Sequence, residues 1–281
     1  MSRAAVSGEF IAGSRGPVFV LARAPLGMPR SCVLVVPPFA EEMNKCRRMV
    51  TEVGLGLAEQ GVATVVPDLY GTGDSAGDFA DATWEAWQCD IRRTMEWSAE
   101  RGCPVSGMLA IRLGCALVAA VQSSGDATPL MRSVLWQPVF DGGRYLSQFL
   151  RLRLAVNMVG GKKESLAELR AELRSGSVLQ VAGYGLSGRL ASELDAVVAP
   201  ARLPRSLGDV IWMEIVRAPG SALPEPSMCL VRNTSRVGAQ VQVQGHVGEP
   251  FWMSTEIVVH REIVTETINF LAGSPRRAAG T

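Results

Sequence analysis

A chain of 281 residues, 47% of them hydrophobic and 20% charged, can bury one large core, which excludes a disordered or fibrous protein. Its 28 Lys and Arg balance 27 Asp and Glu, leaving a formal charge of +1, so no global field recruits nucleic acid or an anionic membrane surface. The six cysteines (Cys32, Cys46, Cys89, Cys103, Cys115 and Cys229) form no CxxC pair and no Cys/His set at zinc spacing, so free thiols in a reducing compartment and no bound metal are expected.

The opening MSRAAVSGEF has no apolar h-region, so no secretion signal is expected. No apolar run reaches the ~20 residues that span a bilayer. The best candidate, Met108 to Val121, is broken by Arg112 and Gly114. A cytoplasmic chain without a transmembrane segment is the expectation.

In chain order, Glu9 to Ala12 and Pro17 to Ala22 read as short strands joined by a Gly13-Ser14-Arg15-Gly16 hairpin loop. Cys32 to Val36 is a continuous β-branched run, as in a strand buried on both faces, and Pro37-Pro38 ends it. Met43 to Gln60 carries Met49, Val53 and Leu57 at helical spacing and stops at Gly61. Ala63 to Val66 is the next buried strand, followed by the Gly/Asp-rich loop Asp68 to Phe79. Thr83 to Arg101 is a helix with Trp84, Trp87, Ile91 and Met95 inward. This rhythm predicts βαβ units and a mostly parallel sheet with helices on both faces.

Ser133 to Val139 continues the strands, after which the rhythm breaks. Gly142 to Leu207, with FLRLRLAVNMV and ESLAELRAELR, reads as a cap insertion over the carboxyl edge of the sheet. Arg151 and Arg153 in it read as a solvated surface. Asp209 to Val216, Met228 to Arg232 and Ala239 to Gln244 are taken as closing strands, and Ser254 to Leu271 as a final helix. The layout is thus a core of residues 1–141 and 208–272, a cap of 142–207 and a tail of 273–281. No internal repeat is visible.

The stretch Ser106 to Ala120 organises the rest. It predicts a buried strand, a tight turn and a helix, with small residues Ala110 and Gly114 on either side of Arg112. That is the layout of the nucleophile elbow of an α/β-hydrolase, where the central residue is Ser. A guanidinium stays protonated and is no nucleophile. Thrust into the site it would bind a carboxylate, phosphate or sulfate, or else it pairs with an internal carboxylate such as Asp68, Asp74 or Glu41. Oxyanion N–H donors would come from around Phe39 or Ala40 and from Leu113. His246, expected in the loop after the last strand, is the candidate base; His260, inside the final helix, is structural. Asp141 is the candidate acid, with Glu249 second, because VRNTSRVGA holds none. Asp74 and Ser75, in GTGDSAGD, line the same edge and make local turn hydrogen bonds. That loop lacks a following Lys-Ser/Thr, so no nucleotide cofactor is expected. Cys115 has no activating neighbour in the sequence and reads as a buried structural thiol.

The order VVPPFAEEMNKCRRM, PDLYGTGDSAGDF with W-x-x-W after it, IRLG, LWQPV, FLRLRLA, VAGYGLS and PFW resembles the type 2 hydrolase-like proteins of the exosortase A system, in the α/β-hydrolase superfamily. The resemblance spans most of Val35 to Leu271, and PPFAEEMNK and FLRLRL are its specific parts. It implies an α/β-hydrolase fold with a cap, an Arg at the elbow as a group trait, and a companion hydrolase in bacteria that sort PEP-CTERM proteins and make exopolysaccharide. It implies no substrate. Three functions follow: a protein without Ser chemistry that binds a small anionic or acyl ligand through Arg112, Phe39 and Leu113; an esterase or thioesterase with water activated by His246; or a scaffold for the companion.

Overall fold

The computed structural model describes residues 4–160, 163–222, 224–236 and 240–273; of the tail expected at 273–281, all but Gly273 lies outside the described residues. The chain starts with an antiparallel hairpin, β1 (Ala4–Ala12) and β2 (Pro17–Pro25), both longer than the apolar pattern suggests. β3 (Ser31–Val36) follows, buried at Cys32 through Val36. α1 (Glu41–Glu59) turns Cys46, Met49, Val53 and Leu57 inward at spacings of one helical face. β4 (Val62–Pro67), α2 (Trp84–Glu100), β5 (Val105–Ile111), α3 (Gly114–Gln122) and β6 (Arg132–Trp136) continue the βαβ rhythm. The Thr83 hydroxyl accepts the Ala86 N–H and caps α2.

Between β6 and the next strand of the sheet lie α4 (Gly142–Val159), α5 (Leu166–Arg174), the hairpin β7 (Val178–Val181) and β8 (Tyr184–Ser187), and α6 (Gly188–Asp195). The apolar run VLQVAGY is therefore a hairpin. Its two central residues, Ala182 and Gly183, both take positive φ (49° and 88°), as a right-twisted two-residue turn requires. β9 (Asp209–Val216), α7 (Glu225–Ser235), β10 (Val241–Val247) and α8 (Arg261–Ala272) complete the chain.

The sheet has eight strands in the order β1-β2-β4-β3-β5-β6-β9-β10, parallel from β4 to β10. α1 and α8 pack on one face around Met49, Leu57, Trp136 and Ile263. α2 and α3 pack on the other, in a cluster that also takes in Leu179, Leu186 and Leu190 of the segment between β6 and β9. No described helix is long and apolar enough to cross a membrane.

Three sequence expectations are corrected. Met228 to Arg232 lies in α7, not in a strand, because a five-residue apolar run has no period that separates strand from helix. The strand expected at Ser133 to Val139 stops at Trp136, where Gln137 turns to φ 43°. The final helix begins at Arg261, seven residues after Ser254, so His260 precedes it instead of lying within it.

Candidate functional site

β5 and α3 meet in a sharp turn whose apex is Arg112, held at φ 54°. Its N–H donates to the Trp136 carbonyl (2.9 Å), and its own carbonyl accepts from Cys115 and Val139 (3.0 and 3.1 Å). Gly114 has to be glycine here: a Cβ would lie 2.7 Å from the Pro37 carbonyl oxygen and 3.0 Å from that of Val36. The turn presses the start of α3 against the end of β3, and the Arg112 side chain leaves it toward α1.

The guanidinium is not free. Its Nε and Nη2 reach Glu42 Oε1 at 3.2 and 3.3 Å, and Nη1 lies 3.5 Å from the Gln137 carbonyl. The Trp252 ring covers its face at 4.6 Å, and the Tyr145 ring lies at 5.8 Å. Arg112 and Glu42 are 9% and 5% exposed. Glu42 stands in the first turn of α1, where the helix dipole favours a negative charge. Burial raises its pKa, while the Arg112 charge and the Tyr145 hydroxyl pull it down. The internal carboxylate for Arg112 is thus Glu42, next in the chain to the expected Glu41. Glu214, at the far end of β9, belongs to the same neighbourhood: Trp212 Nε1 donates to it at 2.8 Å, and Arg112 opposes the rise that burial imposes on its pKa.

Glu41 is half-buried beside this pair. Desolvation first, and then the Glu42 charge, raise its pKa to about 7. A carboxyl whose pKa is higher in the folded than in the unfolded chain contributes most below the unfolded value of about 4.3. That contribution is lost as pH rises through the folded value. In urea titrations the wild type should therefore lose stability between pH 5 and pH 8, and Glu41→Gln should reduce that loss. An unchanged pH slope in the variant would show that Glu41 titrates normally.

Beside the elbow lies a narrow apolar cleft, lined by Phe39, Ala40, Phe79, Trp84, Trp87 and Leu113 among others. Phe39 is its hub, meeting Phe79, Trp87, Tyr145 and Phe149 edge-on at 5.1 to 5.8 Å. Ala40 takes φ 51°, ψ −125°, a conformation that strains any residue with a Cβ by ~1–3 kcal/mol. Among the described residues, neither the Ala40 nor the Leu113 N–H donates a hydrogen bond. The segment between β6 and β9 covers this end of the sheet: Trp84 N–H donates to Glu193 of α6 at 2.7 Å, and Tyr184 packs on Phe79 at 4.9 Å.

The remaining sequence candidates lie apart. His246 is inside β10, 7% exposed, because that strand runs two residues past Gly245 to Val247. Its Nε2 is 3.5 Å from Glu266 and its Nδ1 3.9 Å from Glu262, both on α8. Among the described residues it touches neither Arg112 nor the cleft. Asp141 caps α4, its Oδ1 accepting the Arg144 N–H at 2.8 Å. Glu249 gives its carbonyl to His260 Nε2 at 2.7 Å. Ser75 is a turn residue: its hydroxyl donates to the Asp68 carbonyl and accepts the Phe19 N–H at 2.7 Å. Asp74 donates its own N–H to the Asp68 carboxylate at 2.9 Å. Cys115 is fully enclosed, and burial raises its thiol pKa well above the usual value. Of FLRLRL, Arg153 holds Glu164 in a two-pronged pair (3.2 and 3.0 Å).

Sequence reasoning missed Glu42 as the partner, as well as Tyr145, Trp252 and Glu214. The usable signal was the Glu41-Glu42 pair in the first turn of α1, where a carboxylate faces either the elbow or solvent. Glu214 was hidden by the misread strand, which shifted the expected acid position from the end of β9 to VRNTSRVGA.

No family model and no curated protein matches the chain. Solved structures do. The ferulic acid-bound esterase Est1E from Butyrivibrio proteoclasticus is 15% identical, with a TM-score of 0.68 over 94% of this chain and 97% of its own. A thermostable carboxyl esterase from Bacillus coagulans is 14% identical, with a TM-score of 0.62 over 95% and 98%. Epoxide hydrolase A from Mycobacterium thermoresistibile is 12% identical, with a TM-score of 0.58 over 96% and 99%. The fold is the α/β-hydrolase fold.

Proposed function

We propose that this chain is an α/β-hydrolase-fold protein without Ser-dependent chemistry that holds an apolar acyl or aryl ligand in the elbow cleft. The observation that carries this reading is Arg112. It occupies the apex of the strand-to-helix turn, cannot act as a nucleophile, and is already neutralised by Glu42. An anionic ligand would have to displace that buried partner, so the acyl or aryl reading is preferred to the anionic one. The cleft supplies aromatic walls at Phe39, Phe79, Trp84 and Trp87, and the N–H groups of Ala40 and Leu113 would receive a carbonyl oxygen. Residues 142–207 serve as the lid. The motif order supports a place among the exosortase-linked cytoplasmic proteins, with the companion hydrolase as partner.

Methyl ferulate is a suitable probe, since the similar esterase Est1E has been solved with ferulic acid bound. Saturable quenching of tryptophan fluorescence without hydrolysis is the expected result. Trp84→Ala should weaken binding about 2- to 12-fold, the loss of one aromatic contact of ~0.5–1.5 kcal/mol. Hydrolysis that disappears in His246→Ala would replace this reading with the esterase one. Neither binding nor hydrolysis, with a stable complex to the companion, would leave the scaffold.

A further inference from the structure

A second cleft lies between α1 and the strands β2 and β4, and it meets the elbow cleft at Pro37, Pro38 and Met43. It is lined by Phe19, Leu21, Arg23, Val50, Thr51 and Val66 among others. Its floor runs along β2 from Arg23 to Phe19, about 13 Å at ~3.3 Å per residue. Leu21, Val50 and Val66 are half-buried, so the middle is apolar and open.

Arg23 closes one end. It is 9% exposed, and Nη2 lies 3.3 Å from the Thr51 hydroxyl. Among the described residues no carboxylate lies within ion-pair distance of it. Burial lowers its pKa, and among the described residues no counter-charge offsets that cost. α1 is also thinned to admit it. A Cβ on Gly54 would sit 3.1 Å from Arg23 Cδ and 3.0 Å from Thr64 Oγ1, and a glycine inside a helix costs ~1 kcal/mol. Two destabilising choices thus converge on placing one cation at the end of an apolar groove. The opposite end carries Asp68 and Asp74 with the exposed Arg47, and the Asp68 N–H bonds Phe19 there at 2.9 Å.

We propose that this groove binds a monoanionic amphiphile, with its carboxylate on Arg23 and Thr51 and its apolar chain over Leu21, Val50 and Val66. A single planar guanidinium fork matches the two oxygens of a carboxylate, whereas at the far end Asp68 and Asp74 outnumber Arg47 and leave net negative charge that disfavours an anion, which fixes the orientation.

Calorimetric titration with octanoate tests this, with octan-1-ol as the neutral control. Octanoate should bind saturably, and Arg23→Met should weaken it at least tenfold while leaving the weaker octanol binding unchanged. Val50→Trp should abolish octanoate binding by filling the groove with Arg23 still in place. Arg23→Met should keep the wild-type Tm or raise it, since it removes a buried unpaired charge, and should leave methyl ferulate quenching unaltered. No octanoate binding to the wild type, or equal binding to wild type and Arg23→Met, overturns the proposal. A lower Tm in Arg23→Met with binding intact would make the arginine purely structural, and would overturn it too.

Discussion

Glu42→Ala should destabilise the protein by about 3–5 kcal/mol, because it strands a buried guanidinium. Arg112 is 9% exposed, and its remaining contacts, the Gln137 carbonyl at 3.5 Å and the Trp252 face at 4.6 Å, do not neutralise it. Glu42→Gln should cost less, since an amide oxygen still accepts from the guanidinium. The double variant Glu42→Leu/Arg112→Met should recover most of the loss, because desolvating two charges offsets much of what their attraction contributes. Urea unfolding of the wild type, the two singles and the double gives the coupling energy directly. A loss under ~1 kcal/mol for Glu42→Ala would show that the pair behaves like an exposed one. It would also reopen the anion-binding role of Arg112, because a ligand could then displace Glu42 at little cost.

The second large effect is expected at Phe39, which is 5% exposed and sits at the centre of the rings that join α4 to α2 and the Phe79 turn. Phe39→Ala should cost about 3–5 kcal/mol, as for a large aromatic lost from a packed core. The damage should be uneven. Tyr145 and Phe149 of α4 lose their edge-on partner, whereas β5 contributes no ring to that cluster and is held on both sides by β3 and β6. Amide exchange should therefore accelerate across residues 142–159 more than across 105–111. Methyl ferulate affinity should fall with it, since Phe39 lines the cleft. Uniform acceleration across both segments would mean that α4 and the sheet open as one cooperative unit.

The sequence alone carried the architecture because its signals are local. A β-branched run such as Cys32 to Val36 fits a strand buried on both faces, and the prolines after it cannot continue one. The small residues around Arg112 permit only a tight strand-to-helix turn, and the structure puts that residue at positive φ. Failures came where local pattern is ambiguous. The five residues Met228 to Arg232 are too few to show a period, and misreading them hid Glu214.

What the sequence could not determine is where each charge ends. Arg112 and Glu42 are 70 positions apart, and the sequence offers Glu41, Asp68 and Asp74 as partners without singling out Glu42 until α1 is docked. Docking places Glu42 inward on the first turn of α1 and leaves Glu41 half-buried at its side. His246 shows the same limit, because three more residues of pairing with β9 turn an expected loop base into a strand residue facing α8. Arg23 gives no sign in the sequence of being buried without a counter-ion. Strand and helix periods are written in neighbouring residues, but the partner of a buried charge is set by which distant surface covers it, and only the tertiary structure decides that.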